Sequence, residues 1–168
     1  MEQPGSTKLD GSNTASANEQ LLTFIVDGEE YGVDILRVQE IRSWSNPMPI
    51  PNTPRYIKGV INIRGDVVAI ADLRERLGLP KLEYGATTVI VVLRVNVGGN
   101  ERVMGVIVDA MSDVTNVPQA AIKPPPTFRS SAEGGLAKGI VTLESKMITI
   151  LDVDLIFDVS STSLVPAA

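Results

Sequence analysis

Apolar and polar residues follow one another in short runs along most of this chain, and turn residues break the runs too often for long helices. Leu22-Thr23-Phe24-Ile25-Val26, then Asp27-Gly28, then Glu29-Glu30-Tyr31-Gly32-Val33 predicts a hairpin with an Asp-Gly turn. A second hairpin is predicted where Lys58–Ile63 and Val67–Ile70 flank Arg64-Gly65-Asp66. Thr88–Val95 is rich in β-branched residues and apolar on both faces, which predicts a central strand. Gly98-Gly99-Asn100 turns that strand into Val103–Val108. One short helix carries its own boundary signals. Asp72 is the N-cap, Glu75 completes a capping box, Leu73–Leu77 is the body, Gly78 supplies a left-handed C-terminal residue and Pro80 stops continuation. Asp152 caps a second short helix over Val153–Phe157.

The apolar pattern also repeats. Lys58-Gly59-Val60-Ile61 through Ala71-Asp72 returns 80 residues later (58 to 138) as Lys138-Gly139-Ile140-Val141 through Leu151-Asp152. Upstream, Tyr31-Gly32-Val33 is matched by Met104-Gly105-Val106, and a proline-rich stretch follows each. Three matching features in one order predict two similar small β-barrels. Barrels of this size are marginal alone, so they are expected to share a core.

Composition narrows the chemistry. The chain has 168 residues, 43% of them hydrophobic, which allows a substantial buried core. It contains neither Cys nor His, so disulfides, thiolate metal sites, the usual general base and a phosphoaccepting imidazole are all excluded. No nucleotide loop is present, because Gly134-Gly135-Leu136-Ala137-Lys138-Gly139 lacks the required spacing. We therefore expect no enzyme activity, no cofactor and no metal site. Net charge is −5 with no basic stripe, and aromatics are 4%, so nucleic acid is not an expected partner. The longest apolar run, Val89–Leu93, is too short to span a bilayer, and the N-terminus lacks a signal-peptide core. A cytoplasmic protein without direct membrane insertion is expected. Residues 1–19 read as a disordered tail, 20–158 as one domain of two barrel subdomains, and 159–168 as a loose C-terminal tail.

Three stretches resemble the CheW family of chemotaxis coupling proteins. They are Glu30–Arg42, then Ile57–Gly65 continuing into Asp72-Leu73-Arg74, and Gly105–Asp109 followed by Ser112-Asp113-Val114. With their connections they cover roughly residues 20–158. The resemblance implies a mainly β fold: two SH3-like five-stranded barrels packed on a shared hydrophobic core, with short helices. It implies a non-catalytic adaptor that couples the cytoplasmic tips of chemoreceptors to the regulatory domain of the histidine kinase CheA, and that protein contacts recruit to membrane receptor arrays. The family's receptor-contact positions fall on Val38, Glu40, Gly59 and Arg64, and its kinase-contact positions on Lys123 and Phe128. Lys123 stands where the family often has Arg, which keeps the charge but loses bidentate geometry. A paralogue serving another receptor–kinase pathway, or a β-barrel binding module of another kind, are the alternatives.

Each of these residues also has a plainer reading. Val38 could be core, Glu40 an ordinary surface carboxylate, and Gly59 a close-packing residue, as its repeat Gly139 indicates. Phe128, on a loop beyond Pro124-Pro125-Pro126, could anchor a partner or fold back onto a barrel. Arg64 occupies a hairpin turn whose second copy holds Glu144, so the fold does not demand Arg there, and an Arg64→Glu chain is expected to fold normally. The paired carboxylates Asp109/Asp113 and Asp152/Asp154 read as caps and solvated faces. Trp44, the phenylalanines and the tyrosines are too scattered in sequence to predict an aromatic groove.

Overall fold

The computed structural model describes residues 18–125 and 135–157. Its strands are β1 (Asn18–Val26), β2 (Glu29–Asp34), β3 (Val38–Ser43), β4 (Ile57–Ile63), β5 (Asp66–Asp72), β6 (Val89–Val97), β7 (Asn100–Val108), β8 (Ala110–Pro118), β9 (Ala137–Leu143) and β10 (Lys146–Leu151). Two four-residue helices, α1 (Leu73–Arg76) and α2 (Val153–Ile156), follow β5 and β10. The predicted hairpins and the central strand β6 are all present. β1 begins at Asn18, which pairs with Pro118, so the strand includes Asn18 and Glu19 from the stretch read as a tail.

The strands form two five-stranded sheets, ordered β8-β1-β2-β10-β9 and β3-β6-β7-β5-β4. The two orders match position by position if β1–β5 is one repeat and β6–β10 the other. Each sheet takes its hairpin from one repeat and its other three strands from the other repeat. The sequence repeat is therefore real, but a repeat is not a barrel, because the halves exchange strands. Within each sheet one pairing is parallel, β10 with β2 and β5 with β7, and the rest are antiparallel.

Alternation along the strands sorts side chains into three cores. Ile90 and Val92 of β6 pack inside the second barrel with Ile63, Val68, Ile70 and Ile107. Leu21, Val117, Val141, Ile148 and Ile150 fill the first. The opposite faces of the hairpin strands, including Leu22 and Phe24 of β1 and Val91 and Leu93 of β6, join the helices in a seam between the barrels. This is why β6 is apolar on both faces.

Each barrel closes in the same way. Beyond β3, Met48 pairs with Val60 of β4 through N···O bonds of 2.8 and 2.9 Å. Beyond β8, Lys123 pairs with Ile140 of β9 through two bonds of 2.8 Å. A buried glycine precedes each closing residue. At Gly59, with φ +140°, a Cβ would lie 2.1 Å from the Met48 carbonyl oxygen. At Gly139 it would lie 2.6 Å from Ile122 Cγ2.

The helix caps differ in detail from expectation. The Asp72 carboxylate accepts from Arg74 N at 2.9 Å, and Asp152 accepts from Asp154 N at 3.0 Å. The reciprocal half of the capping box is absent, because Asp72 N donates to Tyr56 O at 2.8 Å. Glu75 instead pairs with Lys58 at 2.6 Å. Tertiary partners have taken both groups of the local motif.

Ion pairs tie the helices to the crossovers between sheets. Arg37, between β2 and β3, binds Asp154 of α2 through two bonds of 2.9 Å. Arg74 of α1 binds Asp109, between β7 and β8, at 2.7 Å and Asp27 at 3.0 Å. The two clamps occupy corresponding places with their charges exchanged. Asp109 and Asp154, expected on solvated faces, are thus structural anions. Arg76 of α1 donates to the α2 carbonyls of Ile156 at 2.7 Å and Leu155 at 2.9 Å, and its guanidinium lies 4.9 Å from the Tyr56 ring centroid.

Two outcomes follow from these contacts. Gly59→Ala should lower unfolding free energy by about 2–4 kcal/mol, because rigid backbone faces the new methyl and φ is unfavourable. Gly139→Ala should cost less, since the Ile122 side chain can move; chemical denaturation of both variants checks the ranking. The second outcome concerns Asp154. Desolvation raises its pKa, but the bonds from Arg37 and Asn96 N outweigh this and hold it below the ordinary 3.8. A carboxyl depressed in the folded state stabilises above its unfolded pKa, and that contribution fades as pH falls through the folded value. The stability advantage of the native chain over Asp154→Asn should therefore shrink below pH 3.8 in denaturation curves taken across acid pH.

Candidate functional site

The second barrel presents a charged cluster built from one strand and one turn. β3 alternates half-buried and exposed positions, which puts Val38, Glu40 and Arg42 in the half-buried set. The β4–β5 hairpin turns through Arg64 (φ +52°) and Gly65 (φ +92°), the two-residue geometry that matches strand twist. Asn62 Oδ1 accepts from Gly65 N at 3.0 Å and braces the turn. Barrel closure brings this turn beside β3. Arg64 Nη2 there donates to Glu40 Oε1, while Arg42 Nη1 donates to Glu40 Oε2 at 3.0 Å. One carboxylate is held between two guanidiniums. The Arg64 side chain remains 68% exposed, whereas Glu40 is 21% exposed. Hydrogen bonds from Arg64, then Arg42, hold the Glu40 carboxyl below its ordinary range.

The structure thus joins two of the four expected receptor-facing residues directly. Val38 lies on the same strand across a bulge, half-buried, and packs against the inter-barrel seam, as its plainer reading expects. Gly59 is buried at the barrel closure, so it shapes the site's support. Lys123 is exposed on the other barrel, at the closing position that corresponds to Met48. Phe128 lies outside the described residues. Arg42 was not singled out in the sequence, although its place two residues after Glu40 on a strand was the available signal.

The structure adds one contact to the sequence reading and corrects one expectation. Arg64 meets Glu40, a contact its turn copy Glu144 gives no sign of, so Arg64→Glu would set two carboxylates together on the surface. The aromatic residues are not all scattered in space. Trp44 stacks on Tyr84 with ring centroids 4.9 Å apart and planes 29° from parallel, and the Tyr84 hydroxyl donates to Asp72 at 2.7 Å. Burial and that carboxylate keep the phenol protonated well above its usual range.

Two barrels with exchanged strands, a shared core and a polar surface cluster define a β-barrel scaffold. Residues 20–161 match the family model of the CheW-like domain. The chain is 37% identical over 142 residues to the chemotaxis protein CheW of Rhizobium meliloti (strain 1021), covering 84% of this chain and 89% of that protein. It is 37% identical over 150 residues to the chemotaxis protein CheW of Klebsiella aerogenes, covering 89% and 88%. The crystal structure of the scaffolding protein TtCheW from Thermoanaerobacter tengcongensis superposes with a TM-score of 0.74 at 30% identity, covering 83% of this chain and 92% of that one. The chain belongs to the CheW-like family, and it is a chemotaxis coupling adaptor.

Removing the Arg64 guanidinium should release Glu40. In Arg64→Ala the Glu40 pKa should rise toward the ordinary 4.5, read from its carboxyl carbon shift in an NMR titration. An unchanged value would mean that Arg42 alone holds the carboxylate.

Proposed function

We propose that this chain couples the cytoplasmic tips of chemoreceptors to the regulatory domain of the histidine kinase CheA, without catalysis of its own. The observation that carries the reading is the Glu40 carboxylate held between Arg42 and Arg64 on the second barrel. Paired in this way, the Arg64 guanidinium is pre-positioned and still open to solvent, so a receptor carboxylate can engage it at little cost in side-chain entropy. Val38 and Gly59 support that surface from β3 and β4. Lys123 faces the kinase from the first barrel, and Phe128, outside the described residues, is the second kinase contact that the family pattern implies. The adaptor works by geometry: two partners sit on two barrels that share one core, so a shift of one partner changes the position of the other. It acts in the cytoplasm and reaches receptor arrays through protein contacts. No helix among the described residues is long and apolar enough to cross a membrane.

Two titrations and one activity assay test this. Arg64→Ala should weaken binding to a receptor cytoplasmic fragment by about tenfold or more while leaving the kinase regulatory domain bound normally. Lys123→Glu should do the reverse. In membranes bearing receptors and kinase, receptor-dependent phosphorylation should require the native chain and fail with Arg64→Ala. Normal receptor affinity in Arg64→Ala would remove this cluster from the site.

A further inference from the structure

The connection from α1 to β6 runs past two clefts that none of the residues assigned above to receptor or kinase contact lines. One, of about 430 Å³, is lined by Arg55, Lys58, Glu75 and Lys81 beside Leu79 and Pro80. Its single carboxylate, Glu75, is already bound to Lys58 at 2.6 Å. Arg55 and Lys81 have no ion-pair partner among the described residues, so the cleft keeps positive charge on a chain whose net charge is −5. The other cleft, of about 490 Å³, is formed by Trp44, Tyr84, Leu82, Lys81 and Glu83. Its wall is the stacked Trp44–Tyr84 pair, and Tyr84 is fixed by its bond to Asp72, the residue that also caps α1. Leu82 is 51% exposed there, high for a large apolar side chain. Lys81 lines both clefts, so the cationic and aromatic ends adjoin.

We propose that this surface binds an extended segment of a partner protein in which a carboxylate stands next to apolar residues, proline included. The carboxylate goes to Arg55 and Lys81. Glu83 bars it from the aromatic end, where an apolar side chain stacks on Trp44 and covers Leu82. Charge and apolar area are thus arranged in one order, which sets the direction of the bound segment. An inorganic anion would use the first cleft alone and leave Trp44 untouched. The two clefts share no lining residue with the Glu40–Arg64 cluster, and their test uses neither receptor nor kinase, so the two readings stand or fall independently.

Trp44 is the one tryptophan of the chain, so its emission reports the aromatic end directly. The probe is the blocked peptide Asp-Glu-Pro-Leu-Pro-Leu, titrated into the full chain, with Asn-Gln-Pro-Leu-Pro-Leu as its uncharged counterpart. The acidic peptide should give a saturable change in Trp44 emission, and the amide peptide should bind about tenfold more weakly. Lys81→Glu should weaken the acidic peptide by about tenfold or more, and Leu82→Ala should weaken both peptides. Both side chains are exposed, so melting temperatures should hold; if one variant melts early, the other decides. Any of three results would overturn the proposal: no saturable change up to about 5 mM peptide, equal binding of the acidic and amide peptides, or full displacement by equimolar inorganic phosphate. Native affinity in both variants would overturn it as well.

Discussion

The parallel pairing of β2 with β10 and of β5 with β7 is the constraint on which the rest of this molecule depends. A parallel pair cannot be joined by a hairpin, so the chain must travel between the two strands. Between β5 and β7 it passes through α1 and β6. Between β2 and β10 it builds the entire second barrel. Neither barrel can close without strands from both halves of the sequence, and the apolar faces left over have only each other to cover them. The inter-barrel seam is the outcome, and it makes two domains that would be marginal alone into one body. An adaptor that works by fixing the relative position of two partners needs such a body.

The crossovers are the points where this arrangement could loosen, and they are where the charges sit. Arg37 with Asp154 and Arg74 with Asp109 hold corresponding places in the two halves, but the helix contributes the anion in one and the cation in the other. The exchange shows that the fold asks for a hydrogen-bonded pair at that junction and is indifferent to its polarity. Arg76 adds a third link by capping the carbonyl end of α2 from α1, its guanidinium set over the Tyr56 ring. These contacts surround the seam and leave the outer barrel surfaces free to carry differing chemistry. The second barrel has Arg64 at its hairpin turn, and the first has Glu144 at the matching one.

Much of the fold was legible in the sequence because it rests on local rules. Two-residue turns, period-two alternation and the caps Asp72 and Asp152 act within a few residues, and each appears where the pattern placed it. β8 was hard to see, since its exposed run Ser112-Asp113-Val114 has little apolar contrast and is held by pairing with β1, some 90 residues distant (Thr23 to Asp113). The capping box failed for a related reason. Glu75 and Asp72 N had more distant partners, Lys58 and Tyr56, than the motif supposes. At the site, Arg64 and Glu40 could each be picked out, one from its turn and the other from the family pattern, but their union could not.

By itself the sequence determined the strand content, the four hairpin turns, the two helix caps, the repeat and the family. All of these are carried by residues close together in the chain or by their order along it. Only the tertiary structure decided that the repeats exchange strands, that Gly59 must be glycine because the Met48 carbonyl lies against it, that Glu40 sits between two arginines, and that Trp44 meets Tyr84. Each is a contact between segments whose separation in sequence carries no information about distance, until two sheets close and bring their edges together.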